Sequence, residues 1–579
     1  MENIKHFLLL DFENILWDEE IKNLNFYLEG LDKDEIIRAG IYFLSFLNSK
    51  SAHDDMYYFL SKFFNKENES FANQIYKRCI DLRNKAKKDI KFFNNLSSLQ
   101  LFQYAYNLKD IKTITFSNTE LEHKIFRAYL FLNYQNNQSQ LKASSSTKDL
   151  PTYSRAPKLI FSSICPFNDI QNYNIDEVLI TQFIRSFYFF EYINSRVDLK
   201  PLIDEFLKYF NTTSTNEFLA NLTDLALLVT KREIRNEKHL DIDIPKNDNY
   251  NRVTSFIEKL TINNSQGDED IDFIQVRDTP LFRIEEGKYR IIFNLFVVEK
   301  LFKSLYFIFR RLNSRLPKGI RIEVKQLFSF DFSEQILLDK ICKEIFHFAS
   351  INMSGHEITN KNIEGGPDHY IRDGNSVYLF ESKDVLINSN VKGSFDFNLY
   401  QEALKIKFHS YIDKNKPRYV GVKQLINNIE VVLSQNFEFD KQRVDAIFPI
   451  LIIHDRQLDV SGFNFIINEW FDVEIKELYR KGFPVQLVRP ITVINIDSLI
   501  YSSDYFKNRY VDLGKLIDLY FNFHSGNCKY YLDNYKSQNI HIRYPIEPFS
   551  LMLSNLLASN KMNMPTSLFY ELGKKIAMK

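Results

Sequence analysis

Cysteine is scarce in this chain. Its four copies among 579 residues, Cys79, Cys165, Cys342 and Cys528, lie far apart, with no CxxC pair and no Cys/His group at zinc spacing. That excludes a disulfide scaffold and a structural zinc site as readings of the sequence, and it fits a reducing compartment. Net charge is also missing, since 74 Lys and Arg balance 74 Asp and Glu. No global basic field draws the chain to nucleic acid, so such binding requires a local groove. Long apolar runs are absent as well: Arg185 and Glu191 interrupt the stretch 178–193, and the run 446–453 is too short to cross a bilayer. The opening MENIKHFLLLDFENILW sets Asp11 and Glu13 directly after a brief apolar run, which predicts no signal peptide. The expectation is a cytoplasmic protein without a membrane partner.

What is present indicates large folded cores. A content of 45% hydrophobic and 26% charged residues excludes a disordered or collagen-like chain. At about 100 to 200 residues per domain, several domains are expected. The 53 Phe and 32 Tyr come with many Asn, Lys and Ile, the residues favoured by AT-rich codons. Aromatics in such a chain are expected to fill cores before they serve as a stacking surface for bases.

Periodicity divides the chain into a multidomain α+β and α/β protein. Residues 1–135 read as a helical domain, with Ile36, Ile37, Ala39, Tyr42, Phe43 and Phe46 at helical spacing. The Ser-rich, polar stretch 136–158 reads as a linker or mobile loop. Residues 159–318 read as a helical region with a β-hairpin near 280–293, followed by a long amphipathic helix at 295–312. Residues 319–504 alternate helices with apolar strands, the mark of an α/β domain, and helices are expected near 332–348, 398–412 and 416–433. Residues 505–579 return to helical spacing as a carboxy-terminal tail.

One segment carries chemistry: GGPDHYIRDGNSVYLFESKD, residues 365–384. The Asp-Gly-Asn triplet at 373–375 separates two strand-like runs, so the segment is expected to be a β-hairpin. Centring the turn on Gly374 sets Asp368 opposite Phe380 and one residue out of register with Glu381. Alternation along the second strand puts Val377, Leu379, Glu381 and Lys383 on one face. Two carboxylates and an ammonium among apolar residues call for a compensating cation, and a hard divalent ion such as Mg²⁺ or Mn²⁺ suits oxygen ligands. Asp368, Glu381 and the backbone carbonyl of Ser382 are the candidate metal ligands, and Lys383 is placed to orient a water or contact a phosphate.

Pro367, Asp368, Glu381, Ser382 and Lys383 resemble the PD-(D/E)xK signature of the restriction-endonuclease-like nuclease superfamily. The resemblance covers about residues 320–500. It implies an α-β-β-β-α-β core with Asp368, Glu381 and Lys383 as catalytic residues, an acidic accessory residue on the first core helix, for which Glu334 is favoured over Asp339 and Glu344, and an accessory Gln424 on a later helix. His369, next to Asp368, points to the opposite strand face and reads as structural; Asp384 reads as a strand end; His356, Glu357 and Glu364 precede the hairpin within reach. Lys416, Arg418 and Lys423 are candidates for a local basic track.

The expected activity is metal-dependent hydrolysis of DNA, with RNA left open, in antiphage or genome defence. Repair or mobile-element processing is the alternative setting for the same site. A rival from another class is a helical interaction scaffold that binds nucleic acid without cutting it. No GxxxxGK[ST] loop occurs, so energy-driven translocation would require a partner protein. Cutting both strands commonly takes two active sites, which makes a homo-oligomer compatible.

Overall fold

The structure is a computed structural model that describes residues 7–47, 56–87, 89–108, 116–235, 240–262, 270–361, 365–521, 544–560 and 566–577. It is a mixed α/β protein whose strands are β1 (Phe7–Leu9), β2 (Asp89–Lys91), β3 (Asp241–Asp243), β4 (Leu281–Glu285), β5 (Lys288–Ile291), β6 (Ile351–Ser354), β7 (His369–Asp373), β8 (Ser376–Lys383), β9 (Ser410–Asp413), β10 (Lys416–Tyr419), β11 (Ala446–Ile453) and β12 (Thr492–Asn495). No helix among the described residues is long and apolar enough to cross a membrane. Two compact units form, each drawn from three stretches of chain: Met1–Leu141, Ile170–Asp176 and Leu207–Leu305 in one, Lys142–Asp169, Glu177–Phe206 and Tyr306–Lys579 in the other. The linear division expected from sequence is thus replaced by an interleaved one.

The first unit is mostly helical, with β1 and β2 pairing in parallel and β3, β5 and β4 forming a small antiparallel sheet. Its amino-terminal core is aromatic: Phe43, Phe59, Phe92, Phe126 and Tyr129 are buried, and Phe92 stacks on Phe126 at 5.1 Å. Buried Asn133 ties this core together by donating to the carbonyls of Leu10 (2.7 Å) and Phe92 (2.8 Å). The hairpin expected near 280–293 is present as β4 and β5, closed by Glu286 and Gly287. The single helix expected at 295–312 is instead two, Asn294–Glu299 and Leu305–Asn313. At the break the backbone leaves the α ladder, Lys300 and Leu301 N–H donating to the carbonyls of Val297 and Val298, and Lys300 reaches the Asp278 carboxylate at 3.1 Å while Glu299 pairs with Arg277 at 2.6 Å.

The expected linker at 136–158 is corrected. A helix runs unbroken from Asn118 to Thr147, and another covers Thr152–Ile164. Ser146 and Thr147 hydroxyls donate to the Ala143 carbonyl, so the polar side chains are satisfied within the helix while Ala143 and Thr147 are buried.

The second unit is built on a five-stranded sheet of order β12-β11-β8-β7-β6. Strands β6, β7 and β8 form an antiparallel meander, and β11 runs parallel to both β8 and β12. Every residue of β11 is buried, which explains its continuous apolar run. Pro449 is tolerated in this central strand because β12 joins the ladder only from Ile450 onward. One sheet face, with Tyr370, Val377, Leu379, Ile447, Leu451 and Val493, packs on the helices Phe397–Phe408, Val422–Leu433 and Phe463–Arg480. On the other face Phe346, which ends the helix Leu338–Ile345, rests on Tyr378 and Phe380. A helix, three antiparallel strands, helices, a parallel strand, a further helix and a last parallel strand follow in that order.

Two helices expected in this unit are revised. The one at 398–412 stops at Phe408, and the one at 416–433 begins only at Val422. Between them lies the antiparallel ribbon of β9 and β10, turned at Lys414 and Asn415, which both have positive φ (48° and 64°). Pro417, readable as a helix start, sits in a two-stranded ribbon where a missing N–H is harmless.

Candidate active site

The β7–β8 hairpin sets the site. Its loop is the two residues Gly374 and Asn375, with Gly374 at φ +57°, a conformation a Cβ would strain. Asn375 is held by a hydrogen bond from its side chain to Asp445 at 2.8 Å. A two-residue loop shifts the register by one from the expectation: His369, not Asp368, pairs with Phe380, and carrying that register one step past the end of β7 brings Asp368 level with Glu381. The two carboxylates therefore share the face of Tyr370 and Leu379, not a diagonal.

Each group is fixed from a separate direction. Asp368 Oδ2 accepts from the Ser382 backbone N–H at 2.7 Å. The Asp368 carbonyl accepts from Gly355 N–H at 2.7 Å, and a Cβ at Gly355 would stand 3.0 Å from the Pro367 carbonyl oxygen and 3.2 Å from Asp368 Cα. Glycine at 355 is thus a condition for bringing β6 this close to the aspartate. Glu381 is fully buried, and Lys383 Nζ lies 2.6 Å from its Oε1 as an ion pair, while neither carboxylate oxygen has a hydrogen-bond partner.

Electrostatics follow from burial. Desolvation, reinforced by Asp368, pushes the Glu381 carboxyl up to about 8 despite Lys383 beside it. Desolvation likewise raises Asp368, opposed by Lys383 and by the Ser382 N–H. For Lys383, burial works against the charge, but Glu381, Asp368 and Glu334 together overcome it and hold the ammonium protonated well above the usual lysine range.

Glu334 belongs to the same field. It lies on a π-helical segment, Gln326–Leu337, a geometry that recurs at functional sites. Burial pushes its carboxyl up to about 8, with Lys383 lowering it and Asp368 and Asp384 raising it. Asp384, expected to do no more than end the strand, accepts from Ser333 Oγ at 2.7 Å and so ties this segment to the end of β8. Asp339 is elsewhere, 3.0 Å from Lys343, and Glu344 pairs with Lys507 at 2.6 Å.

Among the described residues Gln424 has no hydrogen bond to Asp368, Glu381 or Lys383. Its Oε1 accepts from the Gly421 N–H at 2.9 Å and caps its own helix. Lys423 pairs with Glu474 at 2.7 Å, while Lys416 and Arg418 are on the ribbon. His369 is buried on the opposite face, 2.6 Å from Asn352 Oδ1, and burial pushes it down to about 3, so it stays neutral. Glu357 caps its own helix through Ser354 at 2.8 Å, exposed His356 lies on that helix, and Glu364 lies outside the described residues, as does Cys528. Cys79, Cys165 and Cys342 are free and buried.

Sequence reasoning missed His454 and Arg185. Ser382 Oγ is 2.8 Å from His454 Nε2, and Arg185 donates to the His454 carbonyl (3.2 Å) and to Asp497 (3.0 Å). Burial, with Arg185 nearby, holds the His454 imidazole well below its ordinary range and neutral. Ser382 is thereby pinned twice, by its N–H to Asp368 and by its hydroxyl to His454, which fixes the residue whose carbonyl is the candidate third ligand. The only hint was position: His454 directly follows Ile453, which pairs with Lys383 across β11 and β8.

Among the described residues no three His, Cys, Asp or Glu side chains converge closely enough to hold a metal by themselves. The donor set here is smaller, two carboxylates and a backbone carbonyl, with Glu334 in electrostatic range. A comparison with protein-family profiles, characterised proteins and solved structures finds no match to this chain.

Proposed function

We propose that the second unit carries a metal-dependent nuclease site of the PD-(D/E)xK type acting on DNA. The observation that carries this reading is the cross-strand pair Asp368 and Glu381 with Lys383 Nζ at 2.6 Å, all at one end of a buried hairpin. The order of helix, antiparallel meander, helices and parallel strand supports it, as does the π-helical Glu334 beside the pair.

The residues fit a divalent cation. Neither oxygen of buried Glu381 has a hydrogen-bond partner, and burial, with Asp368 beside it, pushes its carboxyl up to about 8, a charge that a cation would stabilise. Asp368, Glu381 and the Ser382 carbonyl would hold Mg²⁺ or Mn²⁺, which when bound supplies positive charge against the charge developing on a phosphate under attack. Lys383 keeps its proton, so it donates hydrogen bonds to a phosphate oxygen or to an attacking water and orients it. Glu334, with its raised carboxyl, accepts or gives a proton near neutral pH. Pinned Ser382 holds the strand end in place, and buried Leu379 and Tyr370 flank the carboxylates on the same face of the sheet.

One observation favours a second reading. Lys383 Nζ already lies 2.6 Å from Glu381 Oε1, a contact that could occupy the carboxylate in place of a metal and leave a site that binds nucleic acid without cutting it. Cleavage separates the two. Purified protein with Mg²⁺ or Mn²⁺ is expected to nick or linearise supercoiled plasmid, with loss of activity in EDTA and in Lys383→Ala. Intact plasmid in every metal, with folded protein that retains DNA binding, would leave the binding-only reading standing. Defence against foreign DNA is the setting proposed for this activity, and an oligomer or an activating partner is compatible with it.

A further inference from the structure

The ribbon of β9 and β10 serves no core. At its base it is firmly held: buried Phe408 and Val422 flank it, Val420 N–H donates to the His409 carbonyl at 3.1 Å, and Gly421, at φ +50°, lies where a Cβ would meet the Phe408 carbonyl oxygen at 2.5 Å. Beyond that base both faces are open. All four residues of β10 are exposed, and Ile412 on β9 is 79% exposed. An isolated two-stranded ribbon is marginal in water. A rigid base under an unsupported, two-sided projection suggests that its partner is another molecule.

Its charge indicates which kind. From Lys405 to Lys423 the chain carries six cations, Lys405, Lys407, Lys414, Lys416, Arg418 and Lys423, against one carboxylate, Asp413, in a protein of zero net charge. Register puts Tyr411 and Asp413 on one face with Arg418 and Lys416, and Ile412 with Pro417 on the other. Arg418 reaches Asp413 at 3.4 Å, whereas Lys414 and Lys416 have no carboxylate in ion-pair reach among the described residues. Tyr411 and Tyr419 stand exposed beside these cations.

From this we infer that the β9–β10 ribbon is a duplex-DNA contact element, with its cations on phosphates and its tip entering the major groove. The dimensions agree: strands of four residues span about 13 Å, and a groove about 12 Å wide and 8.5 Å deep admits a two-stranded ribbon. Counterion release from the phosphates supplies the affinity. The inference rests on the nuclease reading for its choice of DNA as substrate, but its test does not depend on cleavage.

That test measures binding of the full chain to a labelled DNA duplex in EDTA, by fluorescence anisotropy across a salt series. Reversing Lys414, Lys416 and Arg418 to Glu is expected to weaken binding by at least about tenfold and to flatten the plot of log K against log salt by about two to three units. Lys416→Gln with Arg418→Gln is expected to give a smaller change in both, and circular dichroism checks that each variant folds. Unchanged affinity and slope in folded variants would overturn the inference. So would intact DNA binding with an altered oligomeric state in Ile412→Ser, which would mark the ribbon as a protein-docking element. Cleavage with ribbon-independent binding removes this inference and leaves the nuclease reading; ribbon-dependent binding without cleavage in any metal does the reverse.

Discussion

The two ends of the β7–β8 hairpin hold charge in opposite ways. At the turn end, Arg372 and Asp440 are each only 1% exposed, 2.6 Å apart, with Tyr370 Oη donating to the same carboxylate and the Arg443 carbonyl accepting from Arg372 at 3.1 Å. That network is complete and has no capacity for a ligand. At the open end, Glu381 is as deeply buried, yet neither of its oxygens has a hydrogen bond, its one charged neighbour at contact distance among the described residues is Lys383, and its carboxyl is pushed up to about 8. Burial is common to both; what separates a structural ion pair from a site is the unfilled valence.

Breaking the turn end should cost most. Arg372→Ala strands Asp440 in the core and is expected to destabilise the unit by about 3–5 kcal/mol, read by chemical denaturation; a loss under 1 kcal/mol would erase the contrast between the two ends. Glu381→Gln replaces a carboxyl that burial already holds mostly protonated at neutral pH with a neutral group of the same shape, so stability should hold. Cleavage should instead fall by about 10²–10³, or roughly 2.7–4 kcal/mol in barrier, and near-wild-type rates in this variant would count against the site.

The pH dependence sharpens the same contrast. Glu381 and Glu334 titrate near 8 in the fold against 4.5 ordinarily, so between those values the native state holds protons that the unfolded chain has released. Raised carboxyls stabilise the fold less as pH rises, and this contribution is lost through that window. In EDTA, wild-type thermal stability should therefore fall from pH 5 to pH 8 more steeply than that of Glu381→Gln. Parallel slopes would mean the buried carboxylate is not the strained group. Smallest of all, Gly355→Ala should move Asp368 by a few tenths of an ångström and lower cleavage by about tenfold, since small misplacements of positioned groups are costly; the fold should survive it.

The hairpin and its Asp, Glu and Lys were legible in sequence because alternation along VYLFESK and a Gly-Asn turn are local signals. Register was off by one because Asp373-Gly374-Asn375 reads as a three-residue centre, whereas the loop uses two residues and Asp373 pairs with Ser376. Composition misled at 136–158, where Ser146 and Thr147 hydroxyls, of a kind that usually competes with a helix, bond to its own carbonyls. Pro417 and the following apolar period hid the ribbon, whose turn depends on two non-glycine residues at positive φ. Gln424 looked like an accessory group, yet a Gln three residues into a helix is as apt to cap it. His454 and Arg185 were beyond reach, since 269 positions separate them and only the fold joins them to Ser382.

The central claim is that Asp368 and Glu381 form an underfilled cation site. Isothermal titration of the full chain with Mn²⁺ at pH 7, in two buffers of different ionisation enthalpy, tests it most directly. Binding is expected to release protons, because the Glu381 carboxyl, pushed up to about 8, must ionise to hold the ion, and that release should be lost in Glu381→Gln. Heat identical in both buffers, or binding that survives Glu381→Gln unchanged, would contradict it.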